Sequence, residues 1–313
     1  MDVVFLGGGG FSVPIMESIH KGNHVIRAVV SRPDVITGRR HRIIETPAAG
    51  WARGKDIPII KRPRVSLRDF EEEFRTLGGE VALVADFGEI LKSFVFDWLP
   101  HGFFGIHPSL LPRWRGAAPI PWTILSGDTE TGVSIFRLSS GIDTGQIARM
   151  VRTTVGNRET AVELEERLAG IGGDAVERVL DDVAKGVLHL EKQSEKGATL
   201  ARKLNKEDGK LDWRETADQL DRRVRALVPW PCAWFEARGM HISVLEAKNE
   251  NGEQGEPGRF VGLRKTSEGE YGVAVSCGQG VLVITRLQNP GKRVLSGRDW
   301  LNGFRMGIGE RLS

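Results

Sequence analysis

Residues 102–145 read GFFGIHPSLLPRWRGAAPIPWTILSGDTETGVSIFRLSSGIDTG. The aromatic pair Phe103 and Phe104 marks the end of a buried strand, which hands His107 to a segment rich in Pro and Gly. Thr131 to Leu138 alternates as a second strand and ends in the tight turn Ser139 to Gly145, which presents Asp143. A His and an Asp, each in a loop after a strand, fit an α/β architecture in which ligands bind outside the carboxyl ends of parallel strands. An imidazole beside a carboxylate can hold a defined tautomer, stabilise an oxyanion as the imidazolium and move a proton. A lone His in such a place is also commonly a buried ring bonded to a backbone carbonyl, with the Asp capping its own turn. The two residues alone leave both readings open.

Upstream, Val3 to Leu6 reads as a buried strand, followed by Gly7 to Gly10 and a helix in FSVPIMESIHKG. A strand, a glycine turn and a helix suggest a dinucleotide phosphate site, but there is no GxGxxG followed by an acidic residue near position 30. The glycines instead let the turn approach a substrate or the next loop closely. His24 to Val30 is a second strand, Leu67 to Leu77 an amphipathic helix, and Glu80 to Ala85 an apolar strand buried on both faces. That strand delivers DFGEIL, Asp86 to Leu91, where Asp86 would also suit a helix N-cap. Residues 31–64 show no apolar period and carry nine Lys/Arg against three Asp/Glu. Such an excess suits phosphate contact, and it suits a solvated loop equally well.

Downstream, Gln146 to Val155 is a strand and Glu159 to Lys185 a long amphipathic helix with Leu164, Leu168, Val176 and Val179 on its apolar stripe. Glu191 to Leu204 is polar without period and reads as linker. From about Trp234, HISVLEA, GRFVGLR, YGVAVSC and GVLVITRL are short alternating strands between glycine turns, the pattern of a small OB-like β-barrel. The expected fold is therefore α/β. A Rossmann-like domain with a mainly parallel sheet covers 1–190, a linker 191–206, and a smaller β-barrel domain 207–313. A chain of 313 residues has length for a core in each.

Charge and cysteine usage narrow the class. A net charge of +3 permits a polyanionic partner without requiring one. Cys232 and Cys277 lie far apart, with no CxxC or Cys/His cluster, so neither a disulfide framework nor a metal site is expected. No basic segment followed by an apolar core opens the chain, and no run of eighteen apolar residues occurs. A cytoplasmic protein with no membrane partner is expected.

The run SLLPRWRGAAPI, the GDTETGVSIF strand and SSGIDTG, in that order, closely resemble the formyltransferases that use 10-formyltetrahydrofolate, and among them those acting on initiator methionyl-tRNA. FSVP near the start, KLNKEDGKLDW, VPWPCAW and the tail GKRVLSGRDWLNGFRMGIGERL extend the resemblance over nearly the whole chain. It implies His107 and Asp143 as the catalytic pair and Ser109, Leu110, Leu111 and Pro112 as the folate-contacting run. It also places the backbone of Asp86, Phe87, Gly88, Ile90 and Leu91 around the pterin, where the family's Ala-Tyr-Gly-Gln is Asp-Phe-Gly-Glu. PDxxxGR matches the inserted loop by which the family grips the tRNA acceptor end, so Arg39, Arg40 and Arg42 would contact RNA. Lys292 and Arg293, clustered with Arg286 and Arg298, would join them from the tail. One position departs: the family has an Asn two residues before the His, whose carboxamide donates to the formyl oxygen, and Gly105 stands there. Loss of one such donor typically costs about 10²–10³ in turnover.

The implied reaction is transfer of a formyl group from 10-formyltetrahydrofolate, as co-substrate, to the α-amino group of methionyl initiator tRNA by a monomeric enzyme. Two alternatives stay open. One is a sugar-nucleotide N-formyltransferase with the same core, against which the basic 31–64 segment and the β-rich tail speak. The other is a weakly active or non-catalytic relative, motivated by Gly105.

Overall fold

Apolar runs too short for helices and bounded by turns set the strands, and longer 3.6-period stretches set the helices. In the computed structural model residues 1–37, 42–250, 252 and 255–313 are described, with only the backbone of residues 36, 37, 42 and 68. In chain order the first elements are β1 (Asp2–Gly7), α1 (Ser12–Lys21), β2 (Val25–Ser31), β3 (Val35–Thr37), β4 (Arg42–Ile44), α2 (Pro47–Arg53) and β5 (Ile59–Lys61). Then come α3 (Glu71–Thr76), β6 (Val81–Ala85), β7 (Phe103–His107), β8 (Arg115–Gly116), α4 (Pro119–Ser126), β9 (Glu130–Arg137), β10 (Ile147–Thr154), α5 (Ala161–Ala184) and β11 (Leu200–Ala201). The last are α6 (Ala217–Leu227), β12 (Ala233–Ala237), β13 (Met240–Glu250), β14 (Phe260–Lys265), β15 (Tyr271–Ser276), β16 (Val281–Gln288), β17 (Val294–Ser296) and α7 (Gly297–Phe304).

The chain divides into two compact units. The first comprises Met1–Pro119, Glu130–Thr154 and Glu163–Arg202, and the second Ile120–Thr129, Val155–Val162 and Lys203–Ser313. In the first, seven strands are ordered β10-β9-β7-β6-β1-β2-β5. β5, β2, β1, β6 and β7 are mutually parallel, as their apolar sequences require when both faces are covered. One face packs Val4, Leu6, Ala82 and Phe103 against Phe70, Phe74 and Trp98. On the other, α5 passes close enough that a Cβ on Gly172 would lie 3.4 Å from Ile106 and 3.5 Å from Ile15 of α1. The strand order turns back between β1 and β6, so their carboxyl ends, Gly7 and Ala85, flank the crevice where open α/β sheets bind ligands.

Four expectations change. β9 runs antiparallel to β7, with Phe104 opposite Arg137 and His107 opposite Ser134. Asp143 therefore does not follow a parallel strand end, because strand direction is set by hydrogen bonding that no local pattern reveals. The 31–64 segment is not plain loop: it holds the β3–β4 hairpin and α2, capped by Thr46, whose hydroxyl accepts from Ala49 N–H. The helix expected over 67–77 is a 3₁₀ turn at Arg68–Phe70 followed by α3. No helix begins at Asp86, whose φ is +48°.

The second unit is built on a six-stranded sheet, β12-β13-β16-β15-β14 with β17 also on β16, antiparallel throughout. Among the described residues no ladder joins β12 directly to β14, but the C-terminal tail lies between them: Ser313 exchanges backbone hydrogen bonds with Glu236, and Glu310 and Leu312 bond to Phe260 and Gly258. Thr216 and Gln219 form a capping box at α6, whose Leu220 and Val224 enter a core with Trp213, Phe235 and Trp300.

Candidate active site

Successive residues of a strand alternate between faces, so Gly105 and His107 share the face of β7 that Phe103 gives to the core. His107 is buried at the strand's end. Its Nε2 donates to the Trp114 carbonyl at 2.8 Å, and its Nδ1 lies 3.6 Å from Asp143 Oδ2. β9 leaves the sheet beside Phe104, at the amino end of β7, and the turn after it carries Asp143 back to His107. Asp143 is left-handed at φ +51°, and its Oδ2 accepts from Gly116 N–H at 2.8 Å. A protonated His107 would thus find an acceptor at each nitrogen, one of them anionic.

The turn that carries Asp143 is clamped by residues that read as linker. Gln193 Nε2 donates to the carbonyls of Asp143 at 2.8 Å and Gly145 at 2.7 Å. Gln193 Oε1 accepts from Arg115 Nη2 at 2.8 Å, and the buried Arg115 also pairs with Glu195 at 3.1 Å, which holds the Glu195 carboxyl below its usual range. Thr199 Oγ1 accepts from Trp114 N–H at 2.9 Å, and β11 pairs in parallel with β8. Residues 191–201 therefore do more than connect. A buried, fully bonded Gln–Arg pair fixes backbone more firmly than a solvated turn could.

Gly105 is an ordinary strand residue whose backbone would accept a side chain. What excludes one is its cross-strand partner Phe136: a Cβ on Gly105 would fall 2.5 and 2.6 Å from Cε1 and Cζ of that ring, and 3.1 Å from Leu138 Cδ2. The aromatic ring covers the glycine, a pairing that restores packing where a strand lacks a side chain.

Of the 109–112 run, Ser109 and Leu111 are buried. The Ser109 hydroxyl donates to the Arg113 carbonyl at 2.6 Å, and Ser134 Oγ bridges the Ser109 carbonyl and Leu111 N–H. Leu111–Pro112 is cis. These bonds hold the loop's shape, together with the Leu110 and Pro112 carbonyls, which accept from Arg113 and Thr199 N–H. In the 86–91 loop, Phe87 and Leu91 belong to the core, whereas Gly88 and Ile90 are exposed. Glu89 pins the loop by accepting from Val65 N–H at 2.7 Å and Ser66 N–H at 3.0 Å.

Asp86 is accessible to solvent yet ringed by protein, the situation of a group on the wall of a crevice. Its carboxylate occupies the space beside Gly9, where a Cβ would lie 1.6 Å from Oδ2, so the glycine turn does allow the next loop to approach closely. Burial, with Glu165 nearby, pushes the Asp86 pKa up to about 6 against one opposing bond from Gly9 N–H. Glu165, which accepts from Phe11 N–H, is also raised by burial. Arg32 approaches the same loop, its Nη1 3.1 Å from where Gly88 would carry a Cβ.

Of the RNA-facing candidates, Arg39 and Arg40 lie outside the described residues, and Arg42 is described by its backbone alone. Much of the remaining 31–64 charge is already paired: Lys61 with Asp34 and Glu45, both at 2.7 Å, Arg53 with Glu45, Lys55 with Glu17, and Arg62 with Glu73. Lys292 and Arg293 are exposed on the β16–β17 turn of the second unit. Among the described residues no cluster of three or more His, Cys, Asp or Glu could hold a metal, and no helix is long and apolar enough to cross a membrane.

A His–carboxylate pair at the end of a parallel strand, beside the crevice of an open sheet, is an arrangement suited to group transfer in an α/β enzyme. The fold is shared with HypX from Aquifex aeolicus in complex with tetrahydrofolic acid (TM-score 0.65, 17% identity, 98% of this chain but 48% of that one). It is shared also with an N-formyltransferase from Helicobacter canadensis bound to folinic acid and dTDP-3-aminofucose (TM-score 0.66, 18% identity, 92% and 98%). The chain belongs to the formyl transferase family: the family's formyl transferase model matches residues 1–180 and its C-terminal domain model residues 203–305. Similar relatives are the methionyl-tRNA formyltransferases of Thermus thermophilus, 37% identical over 313 residues (100% of this chain, 99% of that one), and of Coxiella burnetii, 38% identical over 309 residues (96% and 95%).

Proposed function

We propose that the protein transfers the formyl group of 10-formyltetrahydrofolate to the α-amino group of methionine esterified to initiator tRNA, as a monomer in the cytoplasm. The observation that carries this reading is the His107–Asp143 pair, 3.6 Å apart, in a chain similar over its full length to methionyl-tRNA formyltransferases.

The α-amine attacks the formyl carbon, forming the new C–N bond while the carbonyl pair moves onto oxygen. The ammonium proton is lost, the bond from the formyl carbon to N10 of the folate breaks, and N10 takes up a proton. His107, as imidazolium, donates to the developing oxyanion through Nε2. The neutral Trp114 carbonyl is a weaker acceptor than an oxyanion and gives way to it. Asp143 stays on Nδ1, orienting the ring, while Gly116 and Gln193 keep Asp143 in place. The folate lies along the 86–91 and 109–112 loops, whose rigid backbone suits a flat heterocycle rich in donors and acceptors, and Asp86 accepts from its ring N–H groups.

Single-turnover mixing of the enzyme with 10-formyltetrahydrofolate and methionyl initiator tRNA should yield N-formylmethionyl-tRNA and tetrahydrofolate. Failure to modify the tRNA, together with efficient formylation of an amino-sugar nucleotide, would overturn the reading.

A further inference from the structure

The β3–β4 hairpin gains no hold on the sheet from its own apolar side chains. All three of its described side chains, Val35, Ile43 and Ile44, are exposed, at 59%, 70% and 53%. An apolar side chain left in water adds nothing to the grip of a strand, and a two-stranded hairpin by itself is marginally stable. What sets the direction of this one therefore lies at its two feet, Asp34 just before β3 and Glu45 just after β4.

Both feet reach the same group. Lys61, the last residue of β5, donates from Nζ to Asp34 Oδ1 at 2.7 Å and Oδ2 at 2.9 Å, and to Glu45 Oε1 at 2.7 Å. Among the described side chains Lys61 alone bonds both carboxylates. Asp34 above all, then Glu45, raises the Lys61 pKa, and Lys61 in turn holds Glu45 below its usual range. A lone exposed ion pair contributes little, but one cation held by three bonds in a partly buried network is the case in which charge pairing does fix geometry. The ground to which the feet are tied is itself firm. Lys61 stands in register beside Ser31 in the parallel β2–β5 pair, and Ser31 Oγ lies 2.6 Å from Thr46 Oγ1, the cap of α2. Trp51 of that helix donates from Nε1 to Glu17 of α1 at 2.8 Å.

We propose that Lys61 is a positioning residue for the macromolecular substrate: by tying both feet of the hairpin to β5, it sets the direction in which the segment carrying Arg39, Arg40 and Arg42 is presented. The inference rests on the reading of the acceptor as tRNA, and it assigns the aim of the hairpin to a residue outside it. A hairpin free to swing points many ways, and a large partner binds only the fraction that points correctly. Affinity then falls by that fraction, while the chemistry in the bound complex is untouched. The paired charge of the 31–64 segment is on this account not idle, because charge spent at the root makes charge at the tip usable.

The test compares the full chain with Lys61→Met and Lys61→Arg. Affinity for uncharged initiator tRNA is measured together with KM for the folate donor, the single-turnover rate at saturating methionyl-tRNA, melting temperature, and hydrogen exchange of the backbone at 35–37 and 42–44. Lys61→Met should weaken tRNA binding by about threefold to thirtyfold. Exchange in the two hairpin strands should quicken by about tenfold or more, while the saturated rate and the folate KM stay unchanged. Lys61→Arg keeps a cation between the two carboxylates and should recover part of the tRNA affinity. Faster hairpin exchange with unchanged tRNA affinity would overturn the inference, since the aim of the hairpin would then not matter. Weaker tRNA binding without faster exchange would overturn it as well and make Lys61 a direct phosphate contact. So would a Lys61→Met protein that loses melting temperature, folate KM and tRNA affinity together, the mark of a general structural role. A parent that binds tRNA but formylates none of it would overturn the assigned reaction, and the tRNA affinities would still decide the role of Lys61. A parent that binds no tRNA would overturn both.

Discussion

Two neighbouring parallel strands end side by side with a titratable residue, and they treat it in opposite ways. β7 ends in His107, bonded to the Trp114 carbonyl and facing an Asp143 that Gly116 and Gln193 hold fast. β6 ends just before Asp86, which has one backbone N–H, from Gly9, and a like-charged neighbour in Glu165. The first group is fixed in position by a hydrogen bond on one side and a carboxylate on the other. The second is kept where its charge is poorly supported, near a crevice that water can enter. Position is what a group needs to stabilise a fleeting oxyanion, whereas a carboxyl near its own titration point can adjust to a ligand that brings donors.

Removing the fixed partner should have the largest effect. His107→Ala should lower the single-turnover formylation rate by about 10²–10⁴, while Asp86→Asn should lower it less than His107→Ala does. Equal losses would erase the distinction between the two strand ends.

Gly105 sharpens the same comparison from within β7. Gly105→Asn alone should destabilise the protein by about 1–3 kcal/mol in denaturant unfolding, because the Phe136 ring must move, and should be no faster than the parent. Combining Gly105→Asn with Phe136→Ala gives the carboxamide room. That pair should raise the chemical rate by about tenfold to a hundredfold with little change in folate affinity, since the new donor acts mainly in the transition state. A stable double variant that is no faster would mean that a backbone donor already serves the oxyanion.

Gln193→Ala should follow, with a rate reduced by about tenfold as the Asp143 turn loosens. Loss should appear in the rate of the chemical step and not in KM for the folate. A rise in KM alone would show that Gln193 shapes the binding loop instead.

The smallest effect is on stability. Folding raises the Asp86 pKa from 3.8 to about 6, so the folded state holds that proton more tightly than the unfolded chain does. This contribution is fully favourable below pH 3.8, is lost as the pH rises toward 6, and stays lost above it. Asp86→Asn should therefore melt at a higher temperature than the parent at pH 8, with the gain vanishing near pH 4. A gain that is the same at both values would count against a strained carboxylate.

The parallel strands were legible because burial on both faces writes continuous apolar runs such as Val81–Ala85. The direction of β9 was not, since antiparallel and parallel partners share the same alternation. β3 and β4, three residues each, are too short to show a period. In the candidate site, His107 and Asp143 could be picked out because an apolar strand runs up to each of them, although His107 is the last residue of its strand and only Asp143 lies in the turn beyond. Gln193 could not, because its contacts reach back 50 residues from a polar stretch with no repeating signal. Gly105 was visible as a missing carboxamide, but its meaning depends on the register that sets Phe136 opposite it, and register is a tertiary fact.

The clamp on Asp143 also has an order in time. A nascent chain leaves the ribosome from its amino end, so His107 emerges first, Asp143 after it, and Gln193 only 50 residues after Asp143. At about 5–20 residues per second, the interval lasts for seconds. Through that window the two side chains can find each other, but the turn beneath Asp143 lacks its anchor and β8 lacks its partner strand β11. The candidate site is thus finished last within its unit, by the stretch that ends at Ala201.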